Sequence, residues 1–252
     1  MTAEKISVVI PVRNEHENIA RCLEGLWDAL RAVPHEILVA YDTDSDTTLP
    51  AIAAAPRKSP DIRLVKNDLG PSPSFAIRAG LRAATGDVVV VTMADLSDPP
   101  EAILRMAAKI RAGADVVSGS RYMRGGRQIG GPLVKTLLSR AAGLSLHYVA
   151  GVGTHDATTS FRAFSRRLLD TISFESDTGF TFGIEATVKA HLAGLVVDEV
   201  PVTWTDRTAG KSNFRVRKWL PAYLRWYTLA LKGAPGRILR SPGKAASTIA
   251  DR

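Results

Sequence analysis

Gly86-Asp87-Val88-Val89-Val90-Val91-Thr92-Met93-Ala94-Asp95 is the stretch that decides how this chain folds. Four consecutive valines between a glycine and a polar tract read as a strand over Asp87–Thr92 that is covered on both faces, because a half-exposed strand would alternate apolar with polar residues. Such a strand belongs in a parallel sheet, where ligands bind beyond the carboxyl ends of the strands. Asp95, Ser97 and Asp98 follow at once and so project toward a site.

Working outward, Ile6–Val12 is a second β-branched run, and Asn18–Leu30 carries Ile19, Leu23, Leu26 and Leu30 at helical spacing. Strands are predicted at Glu36–Tyr41, Ile62–Val65 and Asp115–Ser120, with helices at Phe75–Ala84 and Glu101–Ile110. Strands alternating with helices imply parallel crossover units and an α/β sheet. The regularity fades at Gly125, Gly126, Gly130 and Gly131, which mark a loop and end a first half at about residue 124. Helices are then predicted at Leu133–Tyr148 and Phe182–Ala193, and a strand at Leu195–Trp204 that Pro201 assigns to an edge.

A chain of 252 residues with 45% hydrophobic content can bury the core of a globular enzyme. Cys22 is the only cysteine, which excludes an intrachain disulfide and a cysteine-based zinc cluster and points to the cytoplasm. The five histidines lack metal-ligand spacing. No basic, apolar leader precedes Ile6 and no apolar run reaches about 18 residues, so neither a signal peptide nor a membrane-spanning helix is expected. The formal charge of +8 is uneven: residues 205–252 carry eleven Lys/Arg against two Asp/Glu, a net of +9, leaving −1 for the rest. That places the basic character in the C-terminal segment and points to a local anionic partner, not to a nucleic acid.

Two nucleotide motifs are excluded. A dinucleotide fold would place G-x-G-x-x-G after the first strand, where this chain has Pro11-Val12-Arg13-Asn14-Glu15. A P-loop ending in Gly210-Lys211-Ser212 would need a glycine at 205, which is Thr.

A set of short motifs, in order, resembles the GT-A glycosyltransferases of family 2, in particular the polyprenyl-phosphate sugar synthases typified by dolichol-phosphate mannose synthase. They are Val9-Ile10-Pro11-Val12-Arg13-Asn14-Glu15, Tyr41-Asp42-Thr43-Asp44-Ser45-Asp46, Gly119-Ser120-Arg121-Tyr122, Asp156-Ala157-Thr158-Thr159-Ser160-Phe161-Arg162, Ile184-Glu185, Glu199-Val200-Pro201 and Arg207-Thr208-Ala209-Gly210-Lys211-Ser212. The resemblance runs from about Ile6 to about Asn213. It implies a GT-A-like domain over 1–213, an open and mostly parallel sheet flanked by helices, with a nucleotide-binding half to about 124 and an acceptor-binding half over 125–213. It also implies that Pro11, Arg13, Glu15, Asp42, Ala94 and Asp95 bind the donor, GDP-mannose or UDP-glucose. Arg121, Lys135, Ser139, Asp156 and Arg207 would bind the acceptor phosphate. Asp95, Arg121, Arg207 and Lys211 would be catalytic, and Asp95 with Ser97 would hold Mg or Mn.

The chain departs from the family pattern at two places. The usual Asp-x-Asp reads Met93-Ala94-Asp95, and a usual glutamine reads Ser97; at the phosphate position Lys135 replaces arginine and offers a point charge in place of a fork. A thioether is a poor ligand for a hard cation, so the departure implies weakened metal dependence, with Arg121, Lys135, Arg207 and Lys211 sharing the charge of the leaving diphosphate. A lipid phosphate is already anionic and attacks without a strong base, in one displacement with inversion. A saccharide or soluble hydroxyl acceptor would need a base, for which Asp156 and Glu185 are the candidates, and a non-catalytic nucleotide-sugar-binding module is a further alternative.

Other features read in more than one way. Asp98 before Pro99-Pro100-Glu101 reads first as a helix N-cap. Glu185 sits in an apolar helical pattern and reads equally as a satisfied buried carboxylate. Over 214–252 a basic amphipathic helix precedes a loosely ordered tail. In it Trp219, Tyr223, Trp226 and Tyr227 share a helical face with basic flanks, which suits either a cytoplasmic membrane surface bound peripherally or packing against the domain or a second subunit.

Overall fold

The structure is a computed structural model that describes residues 4–55, 61–177, 179–207 and 216–233. In chain order its elements are β1 (Ile6–Val12), α1 (Ile19–Leu30), β2 (His35–Tyr41), α2 (Thr48–Ala54), β3 (Ile62–Lys66), α3 (Pro73–Ala83), β4 (Val88–Val91), α4 (Ala102–Arg111), β5 (Val116–Ser120), β6 (Arg127–Ile129), α5 (Leu133–Ala150), β7 (Arg162–Ser165), α6 (Arg166–Thr171), α7 (Phe182–Leu192), β8 (Val197–Pro201), β9 (Thr203–Thr205) and α8 (Val216–Gly233).

The valine run takes the centre of a seven-stranded sheet ordered β3-β2-β1-β4-β7-β5-β8. Every residue of β1, β4 and β5 is buried, as a strand covered on both faces requires. Ile6, Val8 and Ile10 face α1 and α4, with Leu23, Leu26, Ile103 and Met106 in one core. Val9, Val89 and Val91 face the other way onto Ile77, Leu81, Phe182 and Ala186 of α3 and α7. The period-two alternation of the strands thus divides one sheet between two cores. At Gly80 of α3 any Cβ would run into the Val9 side chain, so a glycine is what lets that helix lie so close to β1. The edge strands differ as edges should: β3 exposes Arg63, Leu64 and Lys66, and β8 ends in Pro201.

Strict parallel alternation does not hold throughout. β7 runs antiparallel between β4 and β5. Its first residue, Arg162, pairs with Val91 at the carboxyl end of β4 and its last, Ser165, with Val88, so the chain enters the sheet at that end and descends. The predicted strand over Leu195–Trp204 divides at Val202: β8 pairs with β5, and β9 leaves the sheet to pair with β6. The short helices α2 and α6 escape the periodicity because six or seven residues do not establish a period.

A third layer covers α7. Ile184 and Val188 pack with Leu146 and Ala150 of α5 and with Trp226 and Ala230 of α8. α7 is therefore enclosed by the sheet on one side and two helices on the other, which accounts for its burial on nearly every side, Glu185, Thr187 and His191 included. The aromatic stripe of α8 belongs to this packing: Trp219 and Trp226 are buried, and Tyr223 donates to Phe180 O at 3.1 Å. The tail beyond residue 233 and Lys211 lie outside the described residues. No described helix is long and apolar enough to cross a membrane.

Candidate active site

The carboxyl ends of β1, β2, β4 and β5 open onto one rim, and the candidate residues sit on the loops that leave them. After β1, Pro11 is buried and Arg13 exposed, while Asn14 takes a positive φ of 58° that turns the chain sharply. That turn is held by the loop after β2: Asn14 N donates to Asp46 Oδ1 at 3.0 Å and Glu15 N to Thr48 Oγ1 at 2.9 Å. Asp46 is buried and also caps Thr48 N, so it shapes the loop. Asp42 is half-buried and accepts from Asn67 Nδ2 at 2.8 Å. The Glu15 carboxylate accepts from Asn18 Nδ2 at 3.0 Å. Beneath this rim the Cys22 thiol is pushed up to about 12 by burial and then by the negative fields of Asp95, Asp98 and Glu15.

After β4 the chain bends through Leu96, whose φ of 63° is unusual for a residue with a branched side chain. The bend folds Ser97 N back onto Asp95 Oδ1 at 3.2 Å. Asp95 Oδ2 meets Arg207 Nη2 at 2.7 Å, and Thr205 N donates to Ser97 O at 3.2 Å, so β9 is laid directly across the bend. Ala94 is buried in the core between them, leaving only its backbone to the rim. Asp98 does not act as the expected cap. The carboxylate turns back to accept from Thr92 Oγ1 at 3.2 Å and Met93 N at 3.3 Å, and α4 starts without a side-chain cap, its first N–H groups at Ala102 and Ile103 bonding instead to Pro99 O and Pro100 O. Burial, then the Asp95 charge, raise the Asp98 pKa to about 7.

The second half of the site is built on Arg121, one residue beyond β5. Its Nε and Nη2 reach Asp156 Oδ2 and Oδ1 at 2.7 and 3.0 Å, and its backbone N reaches Oδ2 at 3.2 Å. Nη2 also contacts Ser139 Oγ at 3.0 Å and Thr158 Oγ1 at 3.3 Å. Asp156 is fully buried, and burial by itself would raise its pKa; the charge and hydrogen bonds of Arg121 hold it below the ordinary value instead. The guanidinium lies over the rings of Tyr122 and Trp204 at 4.8 and 5.8 Å. Lys135 lies one turn before Ser139 on the same side of α5.

A cavity of about 170 Å³ opens beside Arg121, lined by Asp98, Thr158, Ser160, Phe161, Trp204 and Tyr223 among others. Trp204 and Arg207 both come from the β9 segment, so one short strand joins the Asp95 rim to the Arg121 pocket. Sequence reasoning gave no role to Arg162, which is fully buried and donates Nε to Thr159 O at 2.8 Å and Nη2 to Asp156 O at 3.1 Å. It also contacts Thr187 Oγ1, tying the loop behind Arg121 to α7. Burial lowers its pKa to about 10. An arginine inside an otherwise apolar Phe-Arg-Ala-Phe run was the available signal.

Glu185 falls to the structural reading. Its oxygens accept Glu175 N at 2.6 Å and Ser176 N at 2.8 Å, and Lys189 lies 2.9 Å away. Among the described residues no three His, Cys, Asp or Glu form a metal cluster. The donors suited to a divalent cation are the Asp95 carboxylate and the adjacent Ser97 hydroxyl, which is 3% exposed and has no hydrogen-bond partner among the described residues. A buried hydroxyl without a partner beside a carboxylate offers the hard oxygen donors that fit a divalent cation.

Residues 7–173 match the profile of glycosyl transferase family 2. The chain is 30% identical over 225 residues to a dolichol-phosphate mannosyltransferase of Pyrococcus furiosus, covering 88% of this chain and 62% of that one. It is 33% identical over 234 residues to a polyprenol monophosphomannose synthase of Mycolicibacterium smegmatis, covering 86% of this chain and 87% of that one. The fold matches a glucosyl-3-phosphoglycerate synthase from Mycobacterium tuberculosis, solved with Mn2+, UDP and glucosyl-3-phosphoglycerate, at a TM-score of 0.66 and 20% identity over 92% of this chain and 80% of that one. The likeness extends to the GT-A fold, as the seven-stranded sheet and its flanking helices already indicated.

Proposed function

Because this chain belongs to glycosyl transferase family 2, we propose that it moves a hexose, mannose or glucose, from GDP or UDP to a polyprenyl phosphate in one displacement with inversion. The observation that carries the reading is the Arg121 cradle: a guanidinium fixed by a fully buried carboxylate and two hydroxyls, facing a cavity with aromatic walls. A cation so held suits a phosphate head, and Phe161, Trp204 and Tyr223 suit the first apolar units behind it. Asp156 is committed to that cation and Glu185 to backbone donors, so neither candidate base is disposed to deprotonate a hydroxyl acceptor. An acceptor that brings its own negative oxygen needs none.

In this reading the first half, to about residue 124, binds the nucleotide through Pro11, Arg13, Glu15, Asp42 and the backbone at Ala94. The half over 125–213 binds the acceptor through Lys135, Ser139 and Asp156, together with Arg121 at the end of the first half, with Arg207 and Lys211 neutralising the leaving diphosphate. Asp95 and Ser97 would hold Mg or Mn with water and donor oxygens completing its shell, and the ion would supply positive charge to the diphosphate.

The membrane-facing surface is assigned to α5 in place of α8. Leu133, Val134, Leu137 and Leu138 are all at least half exposed on α5, with the exposed Arg140 on the same helix and the exposed Arg127 on β6, which Gln128 ties to Thr136 of α5. Apolar residues with a basic rim suit peripheral binding at the cytoplasmic face, where the headgroups are anionic. Ser139, on the same helix, reaches inward to Arg121, so a lipid phosphate at that surface would lie next to the cradle.

The test is incubation with radiolabelled GDP-mannose or UDP-glucose and undecaprenyl phosphate, followed by partition into organic solvent. Label is expected in the organic phase as an acid-labile product. Label confined to a water-soluble product would overturn the lipid acceptor, and donor binding without turnover would favour a binding module.

A further inference from the structure

We propose that Arg207 is a built-in competitor for the cation seat at Asp95, and that it leaves that seat only when a divalent ion arrives with the donor diphosphate. The inference rests on the donor-site reading above. Asp95 Oδ1 is taken by Ser97 N at 3.2 Å and Oδ2 by Arg207 Nη2 at 2.7 Å. Both oxygens of this carboxylate already accept a bond, so a metal taking Oδ2 would lie directly against the guanidinium. Met93 supplies a thioether where a second carboxylate would have shared the load, and the Asp98 carboxylate is turned to Thr92 Oγ1 and Met93 N. A dication entering beside Arg207 would therefore gather three positive charges around one dependable negative one. The ion pair wins over a bare ion, and the charge of a diphosphate is needed to reverse the order.

The release of Arg207 has a direction. Its segment carries Trp204, which lies on Arg121 and lines the acceptor cavity, and Thr205, which is bonded to Ser97. A guanidinium freed from Asp95 stays tethered beside that cavity and adds a second cation to the one provided by Arg121. Metal and donor would thus prepare the pocket for the acceptor phosphate, and binding would be ordered, donor first. By linkage, whatever displaces Arg207 must bind more tightly once Arg207 is gone.

The experiment is Mn2+ binding followed by electron paramagnetic resonance on the full chain without nucleotide, for wild type, Arg207→Gln, Met93→Asp and Asp95→Asn/Arg207→Gln, with folding checked by circular dichroism. Arg207→Gln and Met93→Asp should each tighten Mn2+ by about fivefold or more, as expected when a partly exposed ion pair is removed or a ligand charge is added. The Asp95→Asn/Arg207→Gln protein should lose that gain. Unchanged or weaker binding in Arg207→Gln, or a gain that survives Asp95→Asn, would overturn the proposal. A measurement on the unaltered protein guards against misfolded variants: saturating Mn2+ together with GDP or UDP should speed phenylglyoxal modification of Arg207, read by mass spectrometry, at least about twofold over Mn2+ alone by the same linkage. An unchanged rate would also overturn it. These readouts require no sugar transfer, so a failure of the lipid-acceptor assay leaves them standing, and the reverse holds too.

Discussion

Replacing Asp156 with asparagine probes the part of the site that the fold has invested in most heavily. The carboxylate is fully buried and accepts three bonds from Arg121, at 2.7, 3.0 and 3.2 Å, while the Arg121 side chain is only 12% exposed. Asparagine keeps the shape and removes the charge, which leaves a nearly buried guanidinium facing an amide that can return at most part of the hydrogen bonding. Breaking a buried pair from one side costs about 3–5 kcal/mol, and a retained neutral hydrogen bond returns about 1 kcal/mol, so Asp156→Asn should lose roughly 2–4 kcal/mol. Urea unfolding at pH 7 measures it. The double replacement Arg121→Met/Asp156→Leu removes both charges and should recover most of that loss, because an apolar pair of similar volume is often no worse than the ion pair it replaces. Phosphate-acceptor binding should vanish in the double protein, which lacks the guanidinium, and persist at least in part in the single one, which separates what the pair does for folding from what Arg121 does for the ligand. A single variant within about 1 kcal/mol of wild type, or a double variant no more stable than the single one, would refute the reasoning.

Three further outcomes follow from other parts of the molecule. Glu36, at the opposite end of the sheet, is held from its ordinary 4.5 down to about 2: burial opposes this, but hydrogen bonds from Ser7, Thr85 and Arg63 prevail. Its stabilisation, at most about 3 kcal/mol, should be complete above pH 4.5 and fade as pH falls toward 2; equal pH slopes for wild type and Glu36→Gln in urea unfolding would contradict it. Gly80→Ala should destabilise despite a helix-propensity gain of about 1 kcal/mol, because crowding Val9 costs about 1–3 kcal/mol; thermal unfolding with a Val9→Ala background that restores the midpoint checks it. Leu133→Glu/Leu137→Glu, at two exposed α5 positions, should weaken sedimentation with anionic vesicles at least about tenfold with the unfolding midpoint unchanged, whereas Trp226→Ala should lower the midpoint; the reverse pattern would return the membrane contact to α8.

The contrast between α5 and α8 shows where sequence reasoning reaches its limit. Spacing states which residues share a face; it does not state what that face meets. Trp219, Tyr223 and Trp226 do share one, but α7 is buried on nearly every side and needs a cover, and the aromatic stripe supplies it. The four apolar residues at the start of α5 sit on a predicted helix, yet their exposure depends on α7, α8 and the turn at His155, which cover α5 only at Gly143, Leu146 and Ala150 in its C-terminal half. The central strands were legible because burial on both faces leaves its mark in each residue, as in Val88–Val91. Asp95 was legible because a strand end fixes where the next side chains point. The Arg121–Asp156 pair joins residues 35 positions apart and depends on β7 reversing direction between β4 and β5. No local pattern records a reversal of that kind. Asp98 erred in the opposite sense, since a sound local rule for capping yielded to Thr92 and Met93 N, the donors that the bend at Leu96 places within reach. The same bend sets Ser97 against Asp95 and β9 against Ser97, so a strained residue that sequence passes over is what brings Arg207 to the site.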